Sequence, residues 1–157
     1  MGELFRGYLD FYEVEVVDEE RPRAYLEERV RNGESLILLA EDGAGEAVGF
    51  AQVYRTFSSL SMAPVWVLSD LFVAPGGRRT GAGRALLRDV LERARAEGVA
   101  GVQLETGYDN HVAQGLYEAE GFERDPYHIY FHGLKDLKDL KDLKDLKDLK
   151  DLKGPKE

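Results

Sequence analysis

Cysteine is absent from this 157-residue chain, and no run of 18 or more apolar residues occurs. Without cysteine the chain can form neither a disulfide nor a thiolate nucleophile or thiolate metal site. The short apolar runs predict no membrane-spanning helix. The N-terminal stretch, MGELFRGYLD, mixes acids with apolar residues and lacks the layout of a signal peptide. These absences predict a cytoplasmic protein.

Lysine is absent from most of the chain as well. All eight lysines follow Leu134, and in the first 133 residues the acids outnumber the arginines. A body this acidic argues against nucleic-acid binding, which needs clustered positive charge. It favours cationic partners, although an acidic surface kept for solubility explains the charge equally well.

The C-terminal segment repeats Leu-Lys-Asp with a strict period of three from residue 134 to 153. On an α-helix three residues advance about 300°, so the leucines wind around the axis without forming a face. A long 3₁₀-helix would align them, but such runs are uncommon. We therefore expect one globular domain over residues 1–133 and a tail, 134–157, that is a marginal helix or disordered.

The spacing of apolar residues and turn signals predicts the order of elements. Helices are expected at residues 3–12, 21–31, 82–97 and 111–120, and strands at 35–41, 47–57, 65–73, 100–106 and 127–132. The strand, helix and strand between residues 65 and 106 form a βαβ unit, so those two strands should be parallel. The predicted fold class is α/β, with a mixed, mostly antiparallel sheet that contains a central parallel pair and is flanked by helices.

A glycine-rich loop, VAPGGRRTGAGR at residues 73–84, joins the central strand to the following helix. Such loops let backbone N–H groups converge, and the helix N-terminus adds partial positive charge, so the loop suits a phosphate. Arg78, Arg79, Arg84 and Arg88 cluster here in an otherwise acidic body. A tight turn followed by a solvated basic helix is the alternative. A P-loop would need a lysine, and a dinucleotide fingerprint would need glycine in place of Leu86.

Two motifs resemble one family. RRTGAG at residues 78–83 is similar to the Arg/Gln-x-x-Gly-x-Gly/Ala signature of the GNAT acetyltransferase superfamily, and NHVAQGLYEAEGF at 110–122 resembles its Asn-x-x-Ala-x-x-Leu-Tyr-x-x-x-Gly-Phe segment. The central strand, WVLSDLFV, looks most like the branch that acts on polyamines, amino acids and histone-type lysines. Members usually begin with a strand, whereas this chain opens on a helix. The missing strand would leave a free sheet edge, which favours a homodimer.

The resemblance implies acetyl-CoA as co-substrate and no metal. It implies that loop amides bind the diphosphate, that the central strand bonds the pantetheine arm, and that Asn110 contacts that arm. The cofactor-binding residues implied are Leu71, Phe72, Val73, Arg78, Arg79, Thr80, Gly81, Ala82, Gly83, Arg84 and Asn110. His128 and His132 read as strand residues rather than metal ligands.

The chemistry of amine acetylation adds two requirements. An amine with a pKa of about 10.4 is almost wholly protonated at pH 7, so a base is expected, and an acid near the leaving thiolate would help. Asp70 is the first candidate base because it interrupts an apolar strand, with Glu105 second. A buried aspartate bonded to backbone or arginine is the alternative for Asp70. His111 is expected to be exposed.

By its place in the motif, Tyr117 is the candidate acid, and a packed tyrosine with a satisfied hydroxyl is the alternative. The predicted function is transfer of acetyl from acetyl-CoA to a primary amine by direct attack in a ternary complex. The acceptor would be a small cationic amine, an amino acid or a lysine. A non-catalytic acyl-CoA-binding regulatory module and a protein lysine or N-terminal acetyltransferase remain alternatives.

Overall fold

A computed structural model describes residues 1–134 of the chain. The helices are α1 (Gly2–Phe11), α2 (Arg21–Arg31), α3 (Ala82–Ala96) and α4 (His111–Ala119), and the strands are β1 (Ser35–Glu41), β2 (Ala47–Ser58), β3 (Ala63–Val73) and β4 (Val102–Leu104). A 3₁₀ turn, Pro75–Gly77, follows β3. The expectation for the Leu-Lys-Asp tail falls on residues outside those described.

The four strands form one sheet in the order β1-β2-β3-β4. β1 pairs antiparallel with β2 and β2 with β3, whereas β3 and β4 are parallel. The turn between β1 and β2 is closed by the Asp42 carboxylate, which accepts hydrogen bonds from the backbone N–H groups of Ala44 and Glu46. The predicted mixed sheet with one parallel pair is therefore confirmed.

The described residues divide into two compact units. The first contains Met1–Tyr8 and Glu19–Glu105, and so holds the whole sheet with α2 and α3. The second contains Leu9–Asp18 and the residues from Thr106 onward, including α4.

The sheet of the first unit has a helix-covered core on each face. On one face, which we call the α1/α2 face, Phe5 and Tyr8 of α1 contact the ring of Phe50 on β2, and Tyr8 also contacts Phe72 on β3. On the other, the α3 face, Leu86 contacts β2 at Gly49, and the apolar side of α3 is buried. Because Gly49 lies in β2 one residue from Phe50, the two contacts are on opposite faces.

The structure corrects the sequence prediction at residues 127–132 and at β4. No strand forms at residues 127–132, where Tyr127, Ile129 and Phe131 are 80%, 50% and 53% exposed. Alternating apolar residues form a strand only when a neighbouring edge pairs with them. β4 is also shorter than the predicted 100–106. As expected, no strand precedes α1 among the described residues, and β1 lies at one edge of the sheet.

Candidate active site

A β-bulge in β3 sets the orientation of Asp70. Val53 of β2 pairs with Leu68, but the next pair is Gln52 with Asp70, so Ser69 is an extra residue in β3. Directly opposed residues share a face of the sheet, and successive residues alternate faces. The extra residue therefore moves Asp70 to the face opposite Leu68, which is the α1/α2 face. Without the bulge, Asp70 would lie on the α3 face.

The bulge also marks the point where β3 and β4 part. Their parallel pairing runs from Trp66 with Val102 to Leu68 with Leu104 and stops there among the described residues. Beyond it, the Ala74 N–H donates to the Val48 carbonyl at 2.8 Å on the β2 side. Alternation then directs the N–H and C=O groups of Leu71 and Val73 away from β2. Backbone groups that can bond an extended ligand arm are therefore presented on the β4 side.

The loop after β3 is held in an unusual backbone conformation. Arg79 and Gly81 both have left-handed φ angles, of 62° and 84°. The Thr80 hydroxyl donates to the Gly77 carbonyl, and Arg78 Nε donates to the Val73 carbonyl at 3.1 Å. A left-handed arginine is strained by roughly 1–3 kcal/mol, and such strain is concentrated at ligand-binding sites. The contacts made by Arg78 and Thr80 pin the loop against the end of β3.

α3 begins at Ala82, and its N-cap residue, Gly81, makes no side-chain capping bond. The first helical hydrogen bond runs from the Ala85 N–H to the Gly81 carbonyl at 2.9 Å. The N–H groups of the first turn precede that bond and point out of the helix end, where they suit an anion. Residues 79–84 therefore fit a diphosphate, with exposed Arg79 and Arg84 adding positive charge.

Asp70 is 9% exposed and is surrounded by neutral donors. Gln52 Nε2 donates to Asp70 Oδ2 at 2.6 Å, and the side chains of Tyr8 and Ser69 also hydrogen-bond the carboxylate. Burial raises the pKa of Asp70 above its ordinary value, and the three hydrogen bonds oppose that rise. The partners are thus side-chain amide and hydroxyl groups rather than the backbone or arginine of the alternative interpretation.

A hydrogen-bonded pair of tyrosines lies on the α1/α2 face, and one of the pair, Tyr54, interacts with Asp70. Tyr25 of α2 and Tyr54 of β2 are hydrogen-bonded through their hydroxyls at 2.7 Å. Burial, then the bond to Tyr25, raises the pKa of Tyr54 well above its ordinary value, and the charge of Asp70 contributes. The Arg29 guanidinium stacks over the Tyr25 ring at 5.3 Å. Acceptors that reach Asp70 on this face would meet aromatic rings and phenol hydroxyls.

Sequence reasoning missed Gln52, Tyr8 and Ser35. Gln52 is 1% exposed and lies directly opposite Asp70. Its signal was present in the sequence, because Gln52 interrupts the apolar run AVGFAQVY in the same way that Asp70 interrupts β3. Tyr8 and Ser35 gave no such signal, since each fits an ordinary helix or strand pattern.

In the second unit, Asn110 is the N-cap of α4, as predicted, and its side-chain oxygen accepts from the Ala113 N–H at 3.2 Å. Tyr117 stands on the same helix, and its ring contacts Phe122 with centroids 5.9 Å apart. Burial, with a smaller contribution from Tyr12, raises the pKa of Tyr117 to about 12. His111 is exposed in the first turn, as expected.

Glu105, the second candidate base, is exposed and follows β4 directly in the first unit. Within residues 1–134 no group of three or more metal-ligating side chains occurs. Over the same residues, no helix is long and apolar enough to cross a membrane.

The chain forms an α/β domain. Its mixed sheet opens beside a bulged central strand, and a glycine-rich loop then leads into an uncapped helix start that suits a phosphate. The model of the acetyltransferase (GNAT) family matches residues 2–122. The chain therefore belongs to the GNAT acetyltransferase family and is an acetyl-transferring enzyme. GNAT acetyltransferases use acetyl-CoA as their co-substrate.

Individual relatives agree with this membership. An uncharacterized N-acetyltransferase of Bacillus subtilis, YhfO, is 41% identical over 128 residues, which is 82% of this chain and 85% of that protein. An L-methionine sulfoximine/L-methionine sulfone acetyltransferase of Pseudomonas aeruginosa is 35% identical over 68% of this chain and 61% of its own length. A crystal structure of a probable acetyltransferase superposes with a TM-score of 0.80 at 36% identity, covering 86% of this chain and 90% of the other.

Proposed function

We propose that this enzyme transfers acetyl from acetyl-CoA to a primary amine by direct attack of the amine on the thioester. The acceptor would be a small cationic amine, an amino acid or a lysine. The observation that supports this most directly is the bulge at Ser69, because it accompanies the parting of β3 from β4 and turns a buried carboxylate to the α1/α2 face.

Acetyl-CoA would be bound by backbone groups more than by side chains. The N–H groups of residues 79–84 would bind the diphosphate. The strand segment Leu71–Val73 would bond the pantetheine arm through the backbone groups that face away from β2, those of Leu71 and the N–H of Val73. Arg78 and Thr80 would keep the loop in place. The role of Asn110 in contacting the arm rests on its position in the second motif.

Asp70 would act as the base toward the acceptor. It takes a proton from the ammonium, the freed nitrogen lone pair forms the C–N bond with the acetyl carbon, and the C–S bond breaks. The nitrogen then loses its second proton to solvent, which leaves a neutral amide. A raised pKa makes Asp70 a better proton acceptor than an ordinary aspartate. Glu105 is second because its side chain is exposed, whereas the Asp70 carboxylate is buried and held by three side chains.

Tyr117, the candidate acid, would donate a hydrogen bond to the departing sulfur. With a pKa of about 12 its hydroxyl stays protonated wherever amine acceptors are used. A thiol resembling cysteine has a pKa of about 8.5, so the phenol holds its proton more tightly than the thiolate would. Its contribution is therefore a hydrogen bond that strengthens as charge develops on sulfur, and the released thiolate then equilibrates with solvent protons.

The acceptor class follows from charge and from a relative. The acidic body attracts cationic acceptors, and the Pseudomonas aeruginosa relative is named for L-methionine sulfoximine and L-methionine sulfone. The charge suits a cationic acceptor of either size, and the name of the relative favours a small acceptor with a free amino group over a protein lysine.

Turnover of acetyl-CoA should be measured against polyamines, amino acids and lysine-containing peptides. At least one class should be acetylated, and Asp70→Asn should lower kcat/KM at pH 7.5 by about 10²–10⁴-fold. Tyr117→Phe should lower kcat by about 10–100-fold. Glu105→Gln is the matched control and should stay within about threefold. A tight acetyl-CoA complex that transfers nothing to any acceptor would contradict the proposal and favour a binding module.

We assign this activity to residues 1–133 and none of it to the Leu-Lys-Asp tail. The family match ends at residue 122, ahead of the repeat. A chain that stops after Gly133 should keep its kcat/KM and its affinity for acetyl-CoA within about twofold of the full chain. A large loss of either value, with the melting temperature unchanged, would show that the tail takes part.

A further inference from the structure

Three buried polar side chains form a continuous hydrogen-bonded row across three strands. Ser35 Oγ of β1 donates to Gln52 Oε1 of β2 at 2.8 Å, and Gln52 Nε2 donates to Asp70 Oδ2 of β3 at 2.6 Å. The exposed fractions of Ser35 and Gln52 are 7% and 1%. The sheet register places all three on the α1/α2 face, with Gln52 directly opposite Asp70. Folding alone does not require this row, because apolar residues of similar shape can replace a buried polar pair at little cost.

The orientation of the Gln52 amide is set at both ends. An ionised carboxylate only accepts hydrogen bonds, so the amide nitrogen must face Asp70. The amide oxygen then faces Ser35, whose hydroxyl supplies the donor that a buried oxygen needs. Ser35 thus fixes the amide oxygen of Gln52, and the amide nitrogen of Gln52 is left as a fixed donor to the carboxylate.

We propose that Gln52, held by Ser35, is a positioning residue that keeps the Asp70 carboxylate ionised and oriented to take the proton of the acceptor ammonium. The inference rests on the proposed function, because it requires Asp70 to be the base. In that step the ammonium N–H bond breaks and an O–H bond forms on Asp70. The Tyr8 hydroxyl can donate or accept, so the protonated carboxyl keeps a partner while Gln52 continues to donate.

Two phenols interact with Asp70, Tyr8 from α1 and Tyr54 from β2, and α2 places the Tyr25 phenol and the Arg29 guanidinium beside Tyr54. Ser69 supplies a third, uncharged donor beside Gln52 and Tyr8. Burial pushes the pKa of Asp70 upward against these donors. Removing the Gln52 donor leaves burial less opposed, so the pKa of Asp70 should rise further. A base with a higher pKa is protonated over a wider range, and the acid limb of the rate profile moves to higher pH.

Two variants of the full chain test this inference. Gln52→Met removes the donor with little change in volume. Ser35→Ala removes only the hydroxyl that bonds the Gln52 amide oxygen, so the inference can still be tested if the Gln52 variant does not fold. Gln103→Met, at an exposed position of β4, is the matched control. Two quantities are measured: the acid limb of kcat/KM against pH, and the pKa of the Asp70 carboxyl by carbon-13 NMR in the resting protein.

The expected result is a rise of both the acid limb and the NMR pKa, by about one pH unit in Gln52→Met and less in Ser35→Ala, with Gln103→Met unchanged. If neither value moves, Gln52 does not position the base and the inference fails while the proposed function stands. If the NMR pKa rises but the acid limb stays, the inference fails because Asp70 is not the base. A native chain that acetylates no amine would instead defeat the proposed function, and the NMR titration distinguishes that case because it needs no turnover.

Discussion

At the scale of single residues, Asp70 carries the clearest conflict between stability and function. Its carboxylate is buried, and burial dominates the three hydrogen bonds, so its pKa is higher in the folded protein than in the unfolded chain. A group of this kind contributes most stability below its unfolded pKa, and that contribution is lost as the pH rises through the folded pKa. At neutral pH the ionised Asp70 therefore lowers the free energy of unfolding.

Asp70→Asn should consequently melt at a higher temperature than the native chain at pH 7.5, by about 2–4 °C. The amide oxygen can still accept from Gln52, and no buried charge remains. At pH 4 the difference should be smaller, because the raised pKa of Asp70 keeps more of the native carboxyl protonated there than at pH 7.5. Thermal denaturation at the two pH values measures both predictions.

Asp89→Asn is the matched control, since Asp89 lies toward the surface of α3 in an ion pair with Arg93 at 3.1 Å. Its melting temperature should change little or fall slightly at both pH values. A lower melting temperature of Asp70→Asn at pH 7.5 would show instead that the hydrogen bonds of Asp70 outweigh its burial.

Sequence reasoning reached Asp70 but not its surroundings. A carboxylate inside an apolar strand is a strong signal, because an unpaired buried charge is costly. The face on which that carboxylate lies depends on Ser69 being bulged, and nothing in WVLSDLFV distinguishes a bulged strand from a regular one. Tyr8 and Ser35 reach Asp70 only through tertiary packing, which has no local pattern.

At the scale of elements, the loop between β3 and α3 was the most predictable part. Its glycines and arginines indicated an anion site, and the structure shows the left-handed backbone and uncapped helix start that such a site needs. The prediction of a strand at residues 127–132 was wrong. Alternation of apolar and polar side chains does not by itself provide a neighbouring strand with which the backbone can form hydrogen bonds. The length of β4 was overestimated for a related reason, because the pairing of β4 with β3 stops where the bulge begins.

Two glycines of this loop allow a matched comparison. Gly81 has a φ of 84°, where an added Cβ is strained, whereas nothing lies within 4 Å of a Cβ added at Gly76, whose φ is ordinary. Gly81→Ala should weaken acetyl-CoA binding by about tenfold, because the loop must shift to relieve roughly 1–2 kcal/mol of strain. Gly76→Ala should bind within about twofold of the native chain. Calorimetric titration measures both, and equal dissociation constants for the two variants would exclude a role for the Gly81 conformation.

At the scale of the whole molecule, the negative charge of the body contrasts with the positive charge around the loop between β3 and α3. The body is acidic, yet the arginines nearest the loop add local positive charge where the co-substrate would bind. This contrast fits an enzyme that attracts a cationic acceptor while binding a polyanionic donor. Family membership was predictable from two motifs because both contain residues that particular backbone conformations require. The identity of the acceptor was not, because neither motif specifies the side chains that would contact it.

The most direct test of the account is calorimetric titration of the full chain with acetyl-CoA and, separately, with S-acetylpantetheine, which carries the thioester arm without the diphosphate. If the amides of residues 79–84 bind the diphosphate, acetyl-CoA should bind one site with a dissociation constant of about 1–100 μM, and S-acetylpantetheine should bind at least about 100-fold more weakly. No heat with acetyl-CoA, or equal affinity for both compounds, would contradict the central claim that this loop holds the co-substrate.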